Sequence, residues 1–481
     1  MRPISGARPS TGREALVALA HEHTTRLNRL RRCAQRAGLV FAASAAWALP
    51  LLAQGASGNL TTDTLRLDIS DVQRLALRQN LNLLARRQEL AIADGALRQA
   101  RVYQFNPDLT LQAVGDGGTE RPFELLLTQE VEWAGQRGLR IGAAREGRTR
   151  ATASVQNAAR VSLASASVGF YRAFAAERRL AVAQDALALT ERLIAAVRTQ
   201  LAEGEISIME ANLAEIEAGR ARGRVLSAQR AALGAAFALK QLLGLRPETL
   251  LRLVSDSSST SNHPAELPSP AEDSLVVLAL ARRPDLSANE AAVRELEHLT
   301  RLSRRSVFPN VRIGAVVERA ESNGSAAIGP AIGLSLPLFN RNQGLVDQRR
   351  ALTEQARLDQ RAAELGIRTD VLESARAYRT ASEEIAVFET TVVRPARANI
   401  ELLETAYRAG KLALPTLLLL RNQLLDAEFG YWDAWLAQHE ALARLEAATG
   451  ALTPTAAALH PLHSASVYGS PKADSSFRTS P

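Results

Sequence analysis

Cysteine is nearly absent from this sequence: Cys33 is the only one among 481 residues. A disulfide framework therefore cannot form within one chain. Aromatic residues are also scarce, at 4%. Alanine, leucine, arginine, glutamine and glutamate dominate, which is typical of long helices packed side by side rather than of one large globular core. A mean hydropathy of -0.09 excludes a bundle of membrane-spanning helices.

The formal charge of +8 is confined to one part of the chain. Residues 1–36 hold eight arginines and two glutamates, and residues 37–56 hold no charge, so the rest of the chain carries only about +2. A nucleic-acid-binding surface needs basic residues clustered on the folded domain. We therefore expect no nucleic-acid partner.

An uncharged apolar run follows the basic start. GLVFAASAAWALPLLA (38–53) leads into the small residues QGASG (54–58). The run has the length of a signal-peptide core and is short for a membrane-spanning helix, which needs about 20 residues. We predict that residues 1–56 form a signal peptide with a basic N-terminal extension, and an N-terminal anchor helix is the alternative.

Recognisable catalytic motifs are absent as well. The chain has no HExxH, no P-loop glycine pattern and no G-x-S-x-G. HPLH (460–463) has H-x-x-H spacing, but a zinc site usually needs three or four ligands. The sequence therefore predicts no enzyme, no catalytic residue, no metal site and no cofactor.

Proline is missing between Pro122 and Pro247. Within this stretch, residues 139–201 are rich in alanine and predict one helix of roughly 60 residues, about 90 Å long at ~1.5 Å per residue. No ordinary globular core is that wide. Gly204 should then reverse the chain into a return helix.

The sequence repeats itself. Three pairs of segments match: 75–85 with 278–288, 128–140 with 334–346, and 202–213 with 408–419. Similarity of this extent indicates a duplicated structural unit. Gly410 aligns with Gly204, although Pro395 should kink or restart the helix before it. The offset grows by four residues before Gly344, so we expect a β segment four residues longer in the second copy.

The duplication divides the chain into five parts. In order, we predict the signal segment 1–56, a first repeat 57–254 with its hairpin at about 108–133, a Ser/Pro linker 255–272, a second repeat 273–450 with its hairpin at about 311–338, and a disordered tail 451–481. Each repeat should contain a helix, a β-hairpin, a very long helix, a glycine turn and a return helix. The predicted fold class is mainly α with a small β part.

Apolar and acidic residues alternate in FELLLTQEVEW (123–133). One face carries Glu124, Glu130 and Glu132, and the opposite face is apolar. In the second copy the predicted outer face holds Ile332, Leu334, Leu336 and Leu338. Such alternation is typical of a membrane β-strand that faces an aqueous interior, and a half-buried soluble hairpin is the alternative.

Four strands cannot close a barrel. Unpaired strand edges are not tolerated in lipid, because no water is present to satisfy their backbone groups. Either the sheet is soluble or several chains share one barrel, and three chains would supply twelve strands.

The order of elements, repeated after an exported start, resembles the trimeric outer-membrane efflux ducts of the TolC type over about residues 65–450. PLFNRNQG (337–344), GQRGLR (135–140) and the sequences AEGEIS and RAGKLA are most similar to the heavy-metal branch, the outer-membrane partner of cobalt-zinc-cadmium exporters. The resemblance implies a trimeric 12-stranded outer-membrane β-barrel continued by a periplasmic α-helical barrel.

The same resemblance implies a passive exit duct in the outer membrane that extends into the periplasm. Divalent heavy-metal cations would arrive from an inner-membrane RND-type pump through a periplasmic membrane-fusion adaptor. The implied partners are two further copies of the chain, the adaptor, the pump and outer-membrane lipid. A duct for drugs or other small molecules and a soluble periplasmic coiled-coil scaffold or adaptor are the alternatives.

The resemblance places both glycine turns at a periplasmic tip, where the family closes its tunnel and meets the adaptor. The candidate adaptor contacts are Gly204, Glu205, Ile206, Ser207, Gly410, Lys411, Leu412 and Ala413. The family often has an acid six residues after the tip glycine; here the residues are Glu210 and Thr416. Three copies of Glu210 would form a carboxylate ring that favours cations, or Glu210 is a solvated glutamate at a helix start.

Two further groups of residues follow from the resemblance. Glu124, Glu130 and Glu132 would line the barrel. The polar segments where barrel strand becomes tunnel helix would comprise Gly135, Gln136, Arg137, Gly138, Asn340, Arg341, Asn342, Gln343 and Gly344.

Overall fold

The computed structural model describes residues 64–113, 123–254, 272–319 and 325–452. The predicted signal segment with Cys33, the linker up to residue 271, the tail beyond residue 452 and the HPLH motif all lie outside the described residues.

The elements before residue 255 form the first series. They are β1 (Leu65–Leu67), α1 (Ile69–Gln79), α2 (Leu81–Arg101), β2 (Asp108–Ala113), β3 (Phe123–Val131), α3 (Gln136–Ala202), α4 (Ile208–Leu243) and β4 (Leu251–Leu253). The short strands β1 and β4 pair in parallel, so the first and last elements of this series are in contact.

The elements after residue 271 form the second series. They are α5 (Glu272–Arg282), α6 (Pro284–Arg305), β5 (Val311–Arg319), β6 (Ala326–Leu334), α7 (Gln343–Val387), a π-helix (Phe388–Val393), α8 (Arg394–Arg408) and α9 (Leu414–Ala448). The order of helix, hairpin, long helical stretch and return helix thus occurs twice.

The helix α3 contains 67 residues without interruption, which corresponds to about 100 Å. Its sequence has no proline, and the residues that bound it, Gly135 and Gly204, both have a positive φ that ends regular structure. The long helix predicted for residues 139–201 is confirmed, with three more residues at its start and one more at its end. None of the helices in the described ranges has an apolar stretch long enough to cross a membrane.

The second repeat covers the corresponding course with α7, the π-helix and α8. Pro395 is at the second position of α8. Proline lacks an N–H, and its ring clashes with the carbonyl group four residues earlier, so the chain widens into a π-helical turn just before it. The interruption predicted from Pro395 is confirmed.

The additional residues of the second copy lie after its hairpin. Strands β3 and β6 both have nine residues. Residues 132–135 connect β3 to α3, whereas the eight residues 335–342 connect β6 to α7. The predicted longer β segment is therefore wrong. Pro337 has no N–H for a strand ladder, and Leu336 and Leu338 accordingly lie beyond β6 rather than on its outer face.

The two repeats make the same contact where short and return helices meet. Gly244 ends α4 against Gln79, and Gly450 follows α9 against Arg282. A Cβ atom on Gly244 would lie 2.5 Å from the Gln79 carbonyl oxygen, and one on Gly450 would lie 3.0 Å from the Arg282 Cβ. Both glycines also have a positive φ. Each of these positions therefore requires glycine for two reasons: the positive φ and the lack of room for a Cβ atom.

The main apolar core joins helices of both repeats. Phe170 and Phe174 of α3, Leu239 and Leu243 of α4, and Trp435 of α9 are all buried in it. Burial of such side chains is the chief stabilising contribution, at roughly 1.5–3 kcal/mol each. The first long helix is thus held between its own return helix and that of the second repeat.

One antiparallel sheet unites the two hairpins. Its strand order is β2-β3-β5-β6. The central pair is β3 and β5, with Glu124 opposite Glu318 at one end and Val131 opposite Val311 at the other.

Candidate functional site

One face of the sheet is apolar and exposed. The register aligns Leu111, Leu125, Val317 and Ile328 in one row and Leu109, Leu127, Ala315 and Pro330 in the next. Ile332 is 80% exposed and Ile328 is 78% exposed. Within the described strands, the polar residues on this face are Gln129 and Arg319. An exposed apolar patch of this extent marks a surface that is covered by something other than water.

The opposite face is polar or carries small side chains, apart from Leu126 and Val316. Of the three predicted barrel-lining acids, Glu124 lies in this face, opposite Glu318. Glu130 also lies there, and its carboxylate accepts a hydrogen bond of 2.7 Å from the Asn310 side chain.

The third predicted acid, Glu132, follows the end of β3. Its side chain is buried and pairs with Arg140 at 2.7 Å. Arg140 also donates to the Gln104 side chain at 2.8 Å. Glu132 therefore fastens the start of α3 to the sheet, whereas Glu124 stays on the open face.

The chain changes from strand to helix at a left-handed residue in both repeats. Gly135 has φ 77° and Asn342 has φ 56°, and each immediately precedes its long helix. Asn tolerates this conformation better than other residues with a side chain. Both left-handed residues lie within the predicted turn segments, whereas Gly138 and Gly344 lie in the first turns of the two helices.

Side chains at the first connection bind the start of the second hairpin. Gln136 is buried and donates to the Phe308 carbonyl and the Asn310 side chain, both at 3.4 Å. The Trp133 indole donates to the Pro309 carbonyl at 2.8 Å. Arg137 caps the end of α2 by donating to the Arg101 carbonyl at 2.7 Å.

The second connection is stabilised by local hydrogen bonds. The Asn340 side chain accepts from the Asn342 backbone at 3.0 Å, and the Gln343 side chain accepts from the Arg341 backbone at 2.9 Å. Phe339 in this connection is 91% exposed. The first connection is thus bonded to the segment before the second hairpin, whereas the second connection is held by bonds within itself.

The two tip turns have the same backbone geometry. Gly204 and Gly410 have φ values of 76° and 68°. The next residues, Glu205 and Lys411, donate backbone hydrogen bonds of 2.8 and 2.9 Å to carbonyl groups five residues earlier. This pattern is a Schellman motif, in which glycine supplies the left-handed residue.

The helices that leave the tips begin differently. In the first repeat, the Glu210 backbone donates to the Ser207 hydroxyl at 3.2 Å, and the Glu210 carboxylate accepts from the Ser207 backbone at 3.0 Å. This reciprocal pair is a capping box. In the second repeat, Ala413 offers no side-chain cap and Thr416 stands at the position of Glu210. The local geometry thus gives Glu210 a helix-capping role.

The two tips pack together in a small apolar core. Val197, Ala214, Leu414 and Leu418 are buried in it, and Ile206 and Tyr407 pack against it. The Tyr407 hydroxyl donates to the Gln200 side chain at 3.1 Å. Burial, with the nearby charge of Glu210, raises the pKa of Tyr407, so this hydroxyl stays protonated at physiological pH.

Sequence reasoning missed two exposed apolar residues at the tip. Ile208 is 66% exposed and Met209 is 75% exposed. At the equivalent position of the second repeat, Leu414 is only 2% exposed. The signal available in the sequence was the pair of apolar residues directly after Ser207.

A network of charged side chains joins the two repeats. Arg283 is buried at the start of α6 and binds Asp285 at 2.6 Å and Asp370 at 3.0 Å. Arg160 of α3 donates to the Ala447 carbonyl at 2.6 Å and lies 3.9 Å from Asp285. Burial, with the charge of Arg283, lowers the pKa of Arg160. Burial acts to raise the pKa of Asp285, but Arg283 and Arg160 outweigh it, so that pKa is lowered.

Histidines in the described part of the chain occupy packed positions. His439 stacks on Trp435 at 3.9 Å, and its Nδ1 lies 2.8 Å from the Trp435 carbonyl oxygen. Burial lowers its pKa. His298 fills the space beside Gly142. Among the described residues, no three His, Cys, Asp or Glu side chains are grouped so as to hold a metal ion.

The fold defined by these elements is shared with solved structures of membrane channels. The chain is similar to the solved structure of CusC, which is described in terms of transmembrane channel formation, with a TM-score of 0.68 and 17% identity over 80% of this chain and 93% of that chain.

Residues 275–451 match the family described as outer membrane efflux protein. This match agrees with the family that the sequence resembles. The predicted location, in the outer membrane with an extension into the periplasm, agrees with it as well.

Two curated relatives carry names that refer to metals. The chain is 23% identical to the cobalt-zinc-cadmium resistance protein CzcC of Cupriavidus metallidurans, over 80% of this chain and 88% of the relative. It is 29% identical to the nickel-cobalt-cadmium resistance protein NccC of Alcaligenes xylosoxydans, over 79% of this chain and 85% of the relative. The heavy-metal branch predicted from the sequence agrees with both.

Proposed function

We propose that three copies of this chain form the passive outer-membrane exit duct of a tripartite efflux system for divalent heavy-metal cations. The sheets would combine into a 12-stranded barrel, and the long helices would continue it as a periplasmic α-helical barrel. The observation that carries the proposal is the sheet itself, which has an apolar exposed face, a polar face and two free edges.

The free edges are β2 and β6, which have one partner each among the described strands. In hydrocarbon, every unpaired backbone N–H and C=O costs several kcal/mol. Pairing β6 of one copy with β2 of the next removes all edges once the ring closes. The side chains on the polar face would then line an aqueous channel.

The central strand pair supplies a template for the joint between copies. Val131 at the end of β3 lies opposite Val311 at the start of β5, and both face the apolar side. Leu334 ends β6, and Leu109 is the first apolar-side residue of β2. We expect Leu334 to lie opposite Leu109 of the partner subunit.

Cysteine cross-linking tests this joint. In a Cys33→Ser background, the double variant Leu109→Cys/Leu334→Cys should give dimers and trimers when isolated outer membranes are treated with a short thiol cross-linker. Leu127→Cys/Leu334→Cys is the matched control, because Leu127 is on the central strand β3 and should not reach another copy. Equal yields of cross-linked species from both variants would exclude the proposed joint.

The cargo proposal rests on the two relatives named for resistance to metals, together with the sequence resemblance. Deletion of the gene should lower tolerance to zinc, cobalt or cadmium while leaving sensitivity to hydrophobic antibiotics unchanged. The reverse result would assign the duct to drugs.

The tip residues are proposed as contacts with the adaptor, which would connect the duct to an inner-membrane RND-type pump. Exposed Ile208 and Met209 support this assignment, because apolar side chains at a protein's end favour burial in a partner. Glu205 and Lys411 lie beside them on the two turns. Ile208→Ser/Met209→Ser should weaken adaptor capture and leave channel assembly intact, whereas unchanged capture would move the adaptor surface elsewhere.

A further inference from the structure

A cleft of about 660 Å³ lies at the junction of sheet and helices. It is formed by the end of β3, the start of α3 and the end of α6. Its lining includes Trp133, Leu139, Arg301, Arg304, Arg305 and Phe308. The cleft lies beside the central strands β3 and β5, and none of its lining residues belongs to the edge strands β2 and β6.

The cleft adjoins the apolar face of the sheet. Val131, the last apolar-side residue of β3, lies two residues before Trp133. Its ring packs edge-to-face with Phe308 at 5.9 Å, and both side chains are substantially exposed. Aromatic side chains with one apolar and one polar end favour the boundary between hydrocarbon and water.

The polar wall of the cleft is made of arginines. Arg301 pairs with Glu297 at 3.3 Å, and the guanidinium of Arg305 lies over the Phe308 ring at 5.9 Å. Within the described part of the chain, no carboxylate lies within ion-pair distance of Arg304 or Arg305. Two positive charges are therefore available beside an apolar surface.

We propose that this cleft binds the phosphate headgroup of an anionic phospholipid in the periplasm-facing leaflet, with the acyl chains against the apolar sheet face. The guanidinium fork matches phosphate geometry, and the apolar wall of Trp133, Leu139 and Phe308 favours a lipid over a free anion. This inference rests on the proposed insertion of the sheet into the membrane.

The test uses the purified full chain reconstituted with equal amounts of phosphatidylglycerol and phosphatidylcholine. Native mass spectrometry should show that wild-type protein retains more phosphatidylglycerol. An arginine near an anionic lipid surface contributes about a fivefold preference, so Arg304→Gln/Arg305→Gln should reduce the ratio of the two retained lipids by more than fivefold.

The matched control is Arg230→Gln/Arg368→Gln, which removes the same charge from exposed positions on α4 and α7 and should leave the ratio unchanged. Equal retention of both lipids by wild-type protein, or an unchanged ratio in Arg304→Gln/Arg305→Gln, would overturn the proposal. So would binding of inorganic phosphate that depends on these arginines while lipid retention does not.

Vesicle flotation, measured on the same samples, separates this inference from the proposed function. Wild-type protein and both double variants should float with the vesicles. A chain that never floats refutes the channel and the lipid site together, whereas a chain that floats without preferring phosphatidylglycerol refutes only the lipid site.

Discussion

The first repeat crosses from sheet to tip in one unbroken helix, whereas the second repeat needs two α-helices and a π-helical turn. The two repeats also differ in the residues that precede their helices. A glycine precedes the long helix of the first repeat and Asn342 precedes that of the second. A capping box starts one return helix, and an uncapped alanine starts the other.

What the repeats share is the set of chain reversals. Gly204 and Gly410, and likewise Gly244 and Gly450, have a positive φ and the same Schellman hydrogen bonds. The backbone conformation of these glycines determines where the chain reverses direction. The helix that precedes the first reversal is about 100 Å long. The details between reversals are free to differ, because neighbouring helices hold each stretch in place.

The largest expected effect concerns the starts of α2 and α6. The Asn80 side chain, just before α2, accepts a hydrogen bond from the Leu83 backbone at 3.0 Å. Arg283, just before α6, instead forms ion pairs with two carboxylates. Asp285→Ala leaves Arg283 and Arg160 buried with less compensation and should lower the free energy of unfolding by about 3–5 kcal/mol. Asn82→Ala, at the equivalent position, should change it by less than about 0.5 kcal/mol. Denaturant unfolding in detergent measures both, and equal effects would contradict the contrast.

The same network predicts a pH dependence. The folded pKa of Asp285 is lowered, so its contribution is present above the unfolded value of about 3.9 and is lost as pH falls through the folded value. Unfolding midpoints of wild type and Asp285→Ala should therefore converge as the solution is acidified below about pH 4. A difference that persists at the acid end would exclude the ion pair as its source.

The next effect concerns the seam between the repeats. A Cβ atom on Gly314 of β5 would collide with the Leu127 carbonyl of β3. Gly314→Val should therefore cost about 3 kcal/mol and reduce the yield of protein in the outer membrane. Gly329→Ala on β6, whose Cβ would meet only the Val316 side chain at 3.6 Å, is the control and should keep wild-type yield.

A smaller effect concerns the left-handed residue before each long helix. Asn342→Gly should be tolerated, because glycine already fills this role at position 135. Asn342→Val should cost about 1–2 kcal/mol, since a β-branched residue disfavours a positive φ. Thermal unfolding of the two variants gives the comparison, and similar midpoints would show that the turn relaxes.

The smallest effect concerns the tips. Ser207→Ala removes the capping box and should cost about 1 kcal/mol. Ala413→Ser supplies the missing cap in the second repeat and should raise stability slightly, although Thr416 cannot complete a capping box as Glu210 does. Hydrogen exchange of the first turns of α4 and α9 reports each change locally. Faster exchange in α9 of Ala413→Ser would contradict it.

The sequence predicted the duplicated order of elements, the long helix and the family, because each depends on local pattern. Proline-free alanine-rich stretches form helices, and glycines repeated at a constant offset mark reversals. Alternation over residues 123–131 likewise predicted the two faces of β3. Both left-handed residues, Gly135 and Asn342, lie within the predicted turn segments, but the pattern did not indicate which residue of each segment has the positive φ.

Among the candidate site residues, Glu124 shows what pattern can and cannot predict. Its place on the polar face follows from alternation alone. Glu132 has the same parity, but its salt bridge with Arg140 lies beyond the strand end, where alternation no longer applies. The cleft of Arg304 and Trp133 joins residues from two repeats and has no sequence signature.

By itself the sequence determined the elements, their duplication and the amphipathic character of the strands, because these follow from composition, spacing and backbone preference over short distances along the chain. Only the tertiary structure decided that β3 pairs with β5, that Arg160 reaches Asp285, and that the free edges are β2 and β6. Such contacts join residues far apart in the chain, and their partners are chosen by packing and burial, which no local pattern encodes.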